Sequence, residues 1–493
     1  MKKILSYFNF KFSNKTMGQN NFQKIKEKIG RGGIKLDNDE HSRIRVAKKD
    51  YRRVLIHNAP YIFTCDENDK LRARENYSLI IEDGIIKTVA PSAEIQPDEK
   101  DFDLVYDAGL RGGIVITPGL INAHAHPPMY LLRSAMMLDE GEAVDQTIAA
   151  MPAWERAMTD EDNLVSAIGD LTEEQKYGIT RTLSHHAVFE ANEEAAKITG
   201  HNLINAVSAA SNTHPENSPA LIEKLVKDKD GHSSQIAIAV HYLHKAKPEI
   251  LKEIKKLVDK HNLLFTCHLA ESENVARECK KIHGKSEVDV LEKYGLLNDK
   301  TIVSHAIYLS KKEIRKLADA KVGIVHLPTS NTIHKSGTFP LWQYYDAGAQ
   351  YRIALGTDSV VSKSQLDLLS EAYQTRLTHL YSRTVKFGSL FKMMTINAAR
   401  IMHLPNAGKI MPGFEADLAF WKLKDRGCIP YDKDNPVSLI GNIITHNSRT
   451  VRDLMINGRF VIKERRHLLV NESKLLELLQ EKHMEMRKRV KNG

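Results

Sequence analysis

The sequence predicts a (β/α)8 barrel, an α/β TIM-barrel fold, carrying a smaller β unit built from segments at both ends of the chain. Three observations point there. Between residues 119 and 404, eight short apolar runs recur, most of them separated by helix-like stretches, the alternation that builds a parallel sheet wrapped by helices. The runs are nearly unbroken in Val, Ile, Leu and Ala, as strands covered on both faces require. Polar residues able to bind a metal fall at the C-terminal ends of several different runs, the end at which barrels carry their active sites.

In chain order, the first feature is charge. Residues 1–53 hold 15 Lys/Arg against 5 Asp/Glu, a net of +10, so the chain's overall +9 lies entirely in this arm and the rest is near neutral at −1. Residues 1–50 are therefore expected to form a flexible basic extension. Its start, MKKILSYFNFKF, is broken by Ser6, Asn9 and Lys11, whereas a secretory signal needs an unbroken apolar core of ~7–15 residues. No window of ~18 apolar residues suggests a membrane span. The cysteines Cys65, Cys267, Cys279 and Cys428 are scattered without a CxxC pair and read as free thiols of a cytoplasmic protein. With 42% hydrophobic and 27% charged residues, disordered, collagen-like and disulfide-stapled chains are excluded.

Residues 51–118 contain YRRVLIHNAPYIFTC, YSLIIEDGIIKTVA, FDLVYDAG and GIVITPGL, strand-like runs separated by Asn-Ala-Pro, Asp-Gly and Gly-Gly turns. The eight barrel runs follow over 119–404: GLINAHAH, GITRTLSHH, NLINAVSAAS, QIAIAVHYL, LLFTCHLAE, TIVSHAIYL, VGIVHLP and YRIALGTDS. Between them stand stretches such as PEILKEIKKLVDKH and SKKEIRKLADA with helical spacing. Residues 405–470 return to β character in GFEADLAFWKL and TVRDLMINGRFVIKERR, with Asn457-Gly458 as a hairpin turn. That piece is too short for its own core, so it is expected to complete the first unit as a composite β-sandwich. Residues 471–493 read as one amphipathic helix with Asn471 as its cap.

The chemistry gathers at the strand ends. The first run closes on His124-Ala125-His126, and a spacing of two points both imidazoles to one side. The fifth closes on His268 with Glu271 three residues on, the sixth on His305, the eighth on Asp358. Three imidazoles and a carboxylate suit a divalent ion such as zinc or iron. Singly each signal is weak: a lone histidine is more often packed in a core, and Asp358 in Gly-Thr-Asp-Ser would ordinarily be a turn residue. Their shared position on different strands is what carries weight.

These residues resemble a family. TPGLINAHAH, HLAE, SHA, HLPTSN and LGTDS, in that order, with the tails NAARIMHLPNAGKIMPGFEADLAFWKL and VRDLMINGRFVIKE, are similar to the amidohydrolase superfamily. The branch they match is that of triazine chlorohydrolases and guanine, cytosine and S-adenosylhomocysteine deaminases, over roughly residues 51–470. The resemblance implies that His124, His126, His268 and Asp358 hold one metal ion, Zn2+ or Fe2+. It implies that Glu271 and His305 act with Asp358 in catalysis around the metal's water. It also implies that His241, Asn331 and Arg133 face the substrate, although Arg133 could instead pair with a helix carboxylate. Chemically, Asp358 would accept the water's proton, Glu271 would deliver one to a ring nitrogen or leaving group, and His305 would polarise the attacked centre.

Two-metal relatives bridge their ions through a Lys or Glu on strand four; QIAIAVHYL has neither, which favours one ion. Ala125, Pro127-Pro128 and His334 depart from the branch on the substrate side. His185 and His186 lie near enough to line the pocket, with a structural role the plainer reading. The expected function is metal-dependent hydrolysis of a C–N bond, foremost deamination of a purine, pyrimidine, nucleoside or triazine-type heterocycle. One alternative is hydrolysis of a cyclic or linear amide, as in imidazolonepropionase-like relatives. Another is a scaffold whose basic arm binds nucleic acid or another anion, against which stands the lack of any nucleic-acid fold motif. The expected partner is a small-molecule substrate, with no membrane; the branch the chain resembles commonly forms homodimers, and the sequence leaves homodimer and monomer both open.

Overall fold

Eight parallel strands form the barrel: Leu120–Ala125, Ile179–His186, Asn202–Ser208, Gln235–Tyr242, Phe265–Leu269, Thr301–His305, Gly323–His326 and Ile353–Leu355. The computed structural model describes residues 14–32, 41–44, 51–95, 98–133, 135, 144–228, 231–362, 365–447 and 449–492. Each barrel strand pairs with the next, and the ring is sealed where Ala125 bridges Asp358 and the Asp358 N–H donates to the His124 carbonyl at 3.1 Å. The first, fifth, sixth, seventh and eighth strands are buried along their whole length, which explains apolar runs with no alternation.

The intervening helices follow local rules. Pro248–His261 starts with proline in its first turn, buries Leu251, Ile254, Leu257 and Val258 on one stripe, and ends on Asn262 at φ 57°, a left-handed position that asparagine tolerates. Lys311–Asp319 opens with a capping box in which the Ser310 hydroxyl accepts from the Glu313 N–H and the Glu313 carboxylate accepts from the Ser310 N–H.

A second, mainly antiparallel sheet of ten strands unites the two ends of the chain. Ile114–Pro118 pairs with Leu418–Lys422, which pairs with Asp453–Ile456. Tyr106, Phe420 and Phe460 meet in its core with ring centroids 5.1–5.6 Å apart, and the Tyr106 hydroxyl donates to Asp453 at 2.6 Å. Asn457 and Gly458 take φ of 50° and 72° between paired Ile456 and Arg459, as a two-residue hairpin turn demands.

The basic segment differs from the expected flexible extension. Asn14–Ile29 is a helix, and Ile25 and Ile29 are buried in a cluster with Leu164, Leu475, Leu478 and Leu479. The apolar pair four residues apart gives this otherwise polar helix something to bury. Residues 1–13, 33–40 and 45–50 of the arm lie outside the described residues. The helix Glu472–Asn492 is capped by Asn471, whose side chain accepts from the Lys474 N–H at 3.2 Å. All four cysteines are buried and unpaired. No helix among the described residues is long and apolar enough to cross a membrane.

Candidate metal centre

The expected ligand residues converge at one end of the barrel. The Nε2 of His124 lies 3.1 Å from the Nε2 of both His126 and His268, and His126 Nε2 lies 3.3 Å from Asp358 Oδ1. One donor atom from each of the four falls within 4.8 Å of the others, and all four residues are buried. This donor set fits a divalent ion. The Nδ1–H of His268 donates to the His241 carbonyl at 2.8 Å, which leaves its Nε2 as a lone pair aimed inward. His124 Nδ1 is engaged by the Ser304 hydroxyl at 2.9 Å. Burial, with the neighbouring imidazoles, pushes the pKa values of His124 and His268 well below the usual histidine value, so both carry the neutral, ligating form. Burial alone would raise the Asp358 carboxyl. The hydrogen bond from His126 and the surrounding imidazoles more than offset it and hold the group well below the usual carboxylate range. Its Oδ2 accepts from Ser330 at 2.5 Å and Ser362 at 3.1 Å, and its Oδ1 from the Ser359 N–H at 2.8 Å.

Beneath the cluster, Asn122 ties the seam of the barrel. Its Oδ1 accepts from the Thr357 N–H at 3.1 Å, and its Nδ2 donates to Thr357 Oγ1 at 2.8 Å and to Glu174 at 2.5 Å. Gly356 lets the two strands approach: a Cβ there would stand 2.8 Å from the His124 carbonyl oxygen and 3.0 Å from the His124 Cβ. Gly356→Ala is expected to lower stability by about 1–3 kcal/mol and to lower bound metal, measured by denaturant unfolding and elemental analysis. Full metal content at unchanged stability would contradict this role for the close approach.

Glu271 and His305 stand beside the cluster, His305 Nε2 3.7 Å from Glu271 Oε2. That same oxygen accepts from the Tyr242 hydroxyl at 2.5 Å, and His305 Nδ1 donates to Asn331 Oδ1 at 2.8 Å. His305 and Ala306 have φ of 65° and 49°, a strained turn at the strand end that aims the imidazole. His241 lines the cleft with its ring 4.6 Å from that of His268.

Two expected substrate contacts are placed elsewhere. Asn331 does not line the cleft; it sits behind His305 and orients it. Arg133 pairs with Glu173 at 2.7 Å and lies over the Tyr130 ring at 4.4 Å, lining a separate cavity with Tyr177 and Leu475. The nearby helix carboxylate captures the guanidinium.

The cleft above the cluster encloses about 1040 Å³, solvent-open space included. Tyr242, Lys245 and Glu155, which no motif in the sequence marks, also stand in its wall. Tyr242 follows His241, and strict alternation would send one of them away from the cleft. A register shift between Val240 and Tyr242 turns both toward it, as a bulge does. Glu155 enters from the helix Val144–Ala157, where it accepts from Thr213 at 2.7 Å.

Residues 115–461 match the sequence model of the amidohydrolase family. The chain is 31% identical to a 5-methylthioadenosine/S-adenosylhomocysteine deaminase of Pyrococcus furiosus, over 81% of this chain and 94% of that one. It is 26% identical to a 5'-deoxyadenosine deaminase of Methanopyrus kandleri, over 81% and 92%. Among solved structures it is similar to an adenosine deaminase of Xanthomonas campestris with bound zinc, with TM-score 0.77, 21% identity and coverage of 88% and 98%. It is likewise similar to a triazine hydrolase of Arthrobacter aurescens, with TM-score 0.78, 20% identity and coverage of 88% and 99%.

Proposed function

The chain belongs to the amidohydrolase family and is a hydrolase of carbon–nitrogen bonds, and we propose that its reaction is the deamination of an adenosine-type nucleoside at a single zinc ion. The observation that carries the chemistry is the gathering of His124, His126, His268 and Asp358 donor atoms within 4.8 Å, with the Glu271 carboxylate and His305 imidazole beside them. The substrate class rests on the adenosine-type deaminases among the relatives. The site's three imidazoles and one carboxylate suit zinc, and they also suit iron.

A divalent ion held by these four residues supplies Lewis acidity, which makes water nucleophilic at neutral pH. Asp358 takes a proton from the attacking water. Glu271, held at Oε2 by the Tyr242 hydroxyl, carries a proton to the ring nitrogen beside the attacked carbon, which spares that ring a full negative charge. His305 has its Nδ1–H committed to Asn331, so Nε2 is the atom through which it acts on the attacked centre. The bond to the exocyclic nitrogen then breaks, the proton held by Asp358 leaves with it as ammonia, and the proton still on the new oxygen passes back to Glu271 as the carbonyl forms. Water and amine thus give a carbonyl and ammonia, with no redox partner needed.

The family assignment leaves no room for a barrel that is only a scaffold. Amide hydrolysis would use the same groups, and product analysis separates it. Adenosine, 5'-deoxyadenosine, 5'-methylthioadenosine and S-adenosylhomocysteine, with guanine, cytosine and a cyclic amide as comparators, are each incubated with zinc-loaded protein. Ammonia release from at least one adenosine-type nucleoside is expected. Carboxylate release from the cyclic amide, with no ammonia from any nucleoside, would overturn the deamination reading.

A further inference from the structure

His185, at the end of the second barrel strand, is only 2% exposed and lines the cleft. Neither of its ring nitrogens has a hydrogen-bond partner among the described residues. Its neighbours are rings: the centroids of His268, His124, His126 and His241 lie 4.7, 5.4, 5.5 and 6.2 Å away. Other imidazoles lining the cleft are anchored, His268 on the His241 carbonyl, His305 on Asn331, and His186 as acceptor from the Val188 N–H. His185 also stands outside the group of four residues whose donor atoms gather for a metal. A buried polar side chain with no partner is costly, and one that faces a cleft marks a place where a ligand supplies the missing partner.

The strand order says which part of a ligand that is. Strands two and six stand across the barrel from one another, so His185 faces the metal cluster from the side opposite His305 and its neighbour Glu271. The reaction requires the attacked carbon at the cluster with its proton-accepting ring nitrogen toward Glu271. In a 6-aminopurine that nitrogen is N1, and N7 lies on the other side of the attacked C6, reached through C5. An imidazole carries at least one N–H in either of its usual protonation states, and N7 of a 9-substituted purine is a free acceptor.

We propose that His185 is a specificity-determining residue that donates a hydrogen bond to N7 of the purine. The assignment rests on the deamination reading and names the ring edge that the cleft reads. It selects purines over pyrimidines, which have no acceptor nitrogen at that position.

Two paired measurements test it. Binding of inosine and 7-deazainosine, in which a C–H replaces N7, is measured by calorimetry on the zinc-loaded protein. The kcat/KM values for adenosine and 7-deazaadenosine are measured alongside, for wild type and His185→Ala. Wild type should lose roughly ten- to hundredfold in affinity and in kcat/KM on the deaza analogues. His185→Ala should lose a similar factor on the parent nucleosides, lose nothing further on the deaza analogues, and keep its metal content. The wild-type comparison needs no variant, so a variant that fails to fold does not silence the test. Equal wild-type binding of inosine and 7-deazainosine overturns the proposal, as does a full deaza penalty in His185→Ala. Loss of metal from His185→Ala also overturns it, because His185 would then be a ligand. Selective inosine binding without ammonia release from any nucleoside sinks the deamination reading alone. Ammonia release with no deaza penalty sinks this proposal alone, and binding of neither nucleoside sinks both.

Discussion

His268→Ala is expected to carry no tightly bound metal and to turn over substrate on the order of a thousandfold more slowly, or worse. His268 supplies one of three inward lone pairs, its Nε2 3.1 Å from that of His124. Alanine removes that donor and leaves only His124, His126 and Asp358 of the gathered set, one neutral ligand fewer to hold an ion. A metal contributes several kcal/mol of transition-state stabilisation, and at ~1.4 kcal/mol per tenfold that is at least about 10³ in rate. Elemental analysis of the purified variant and ammonia release on the best wild-type nucleoside measure both effects together. Folding should be nearly intact, because His268 lies at the rim of its strand, and excess zinc should restore only part of the activity. Wild-type turnover by a metal-free variant would remove the ion from the mechanism.

Glu271→Gln separates the proton carrier from the metal. The amide oxygen of glutamine still accepts from the Tyr242 hydroxyl, 2.5 Å away in the native pair, so the local geometry should be kept. What is lost is the ability to take up and deliver a proton. We expect kcat to fall by about 10²–10⁴-fold, with KM within a few-fold and metal content equal to wild type. A variant within about tenfold of wild-type kcat would show that the ring nitrogen is protonated by another group. A variant depleted of metal would show that Glu271 belongs to the ligand set.

The barrel was legible because double-faced burial writes a strand as an unbroken apolar run, and eight such runs leave few alternatives. The gathering of His124, His126, His268 and Asp358 was legible because the first two sit two apart at one strand end and the others end two further strands. What was hidden depended on tertiary choice. Arg133 has a carboxylate forty positions later in Glu173, and no local pattern says that this partner outcompetes a substrate. Asn331 faces His305 because of a turn, and Tyr242 reaches Glu271 because a register shift breaks the alternation of its strand. The docking of Asn14–Ile29 was unreadable for another reason: the leucines clustered with Ile25 and Ile29 lie far along the chain, Leu164 in the barrel and Leu475, Leu478 and Leu479 on the C-terminal helix.

The composite sheet also imposes an order in time. Ile114–Pro118 offers an edge whose partner, Leu418–Lys422, is separated from it by the whole barrel. At roughly 5–20 residues per second on the ribosome, that partner emerges tens of seconds later. Throughout that interval the strand presents unpaired N–H and C=O groups, a template for pairing with a neighbouring nascent chain. The β unit thus closes only after every barrel strand has been made, and one five-residue edge waits for its partner throughout.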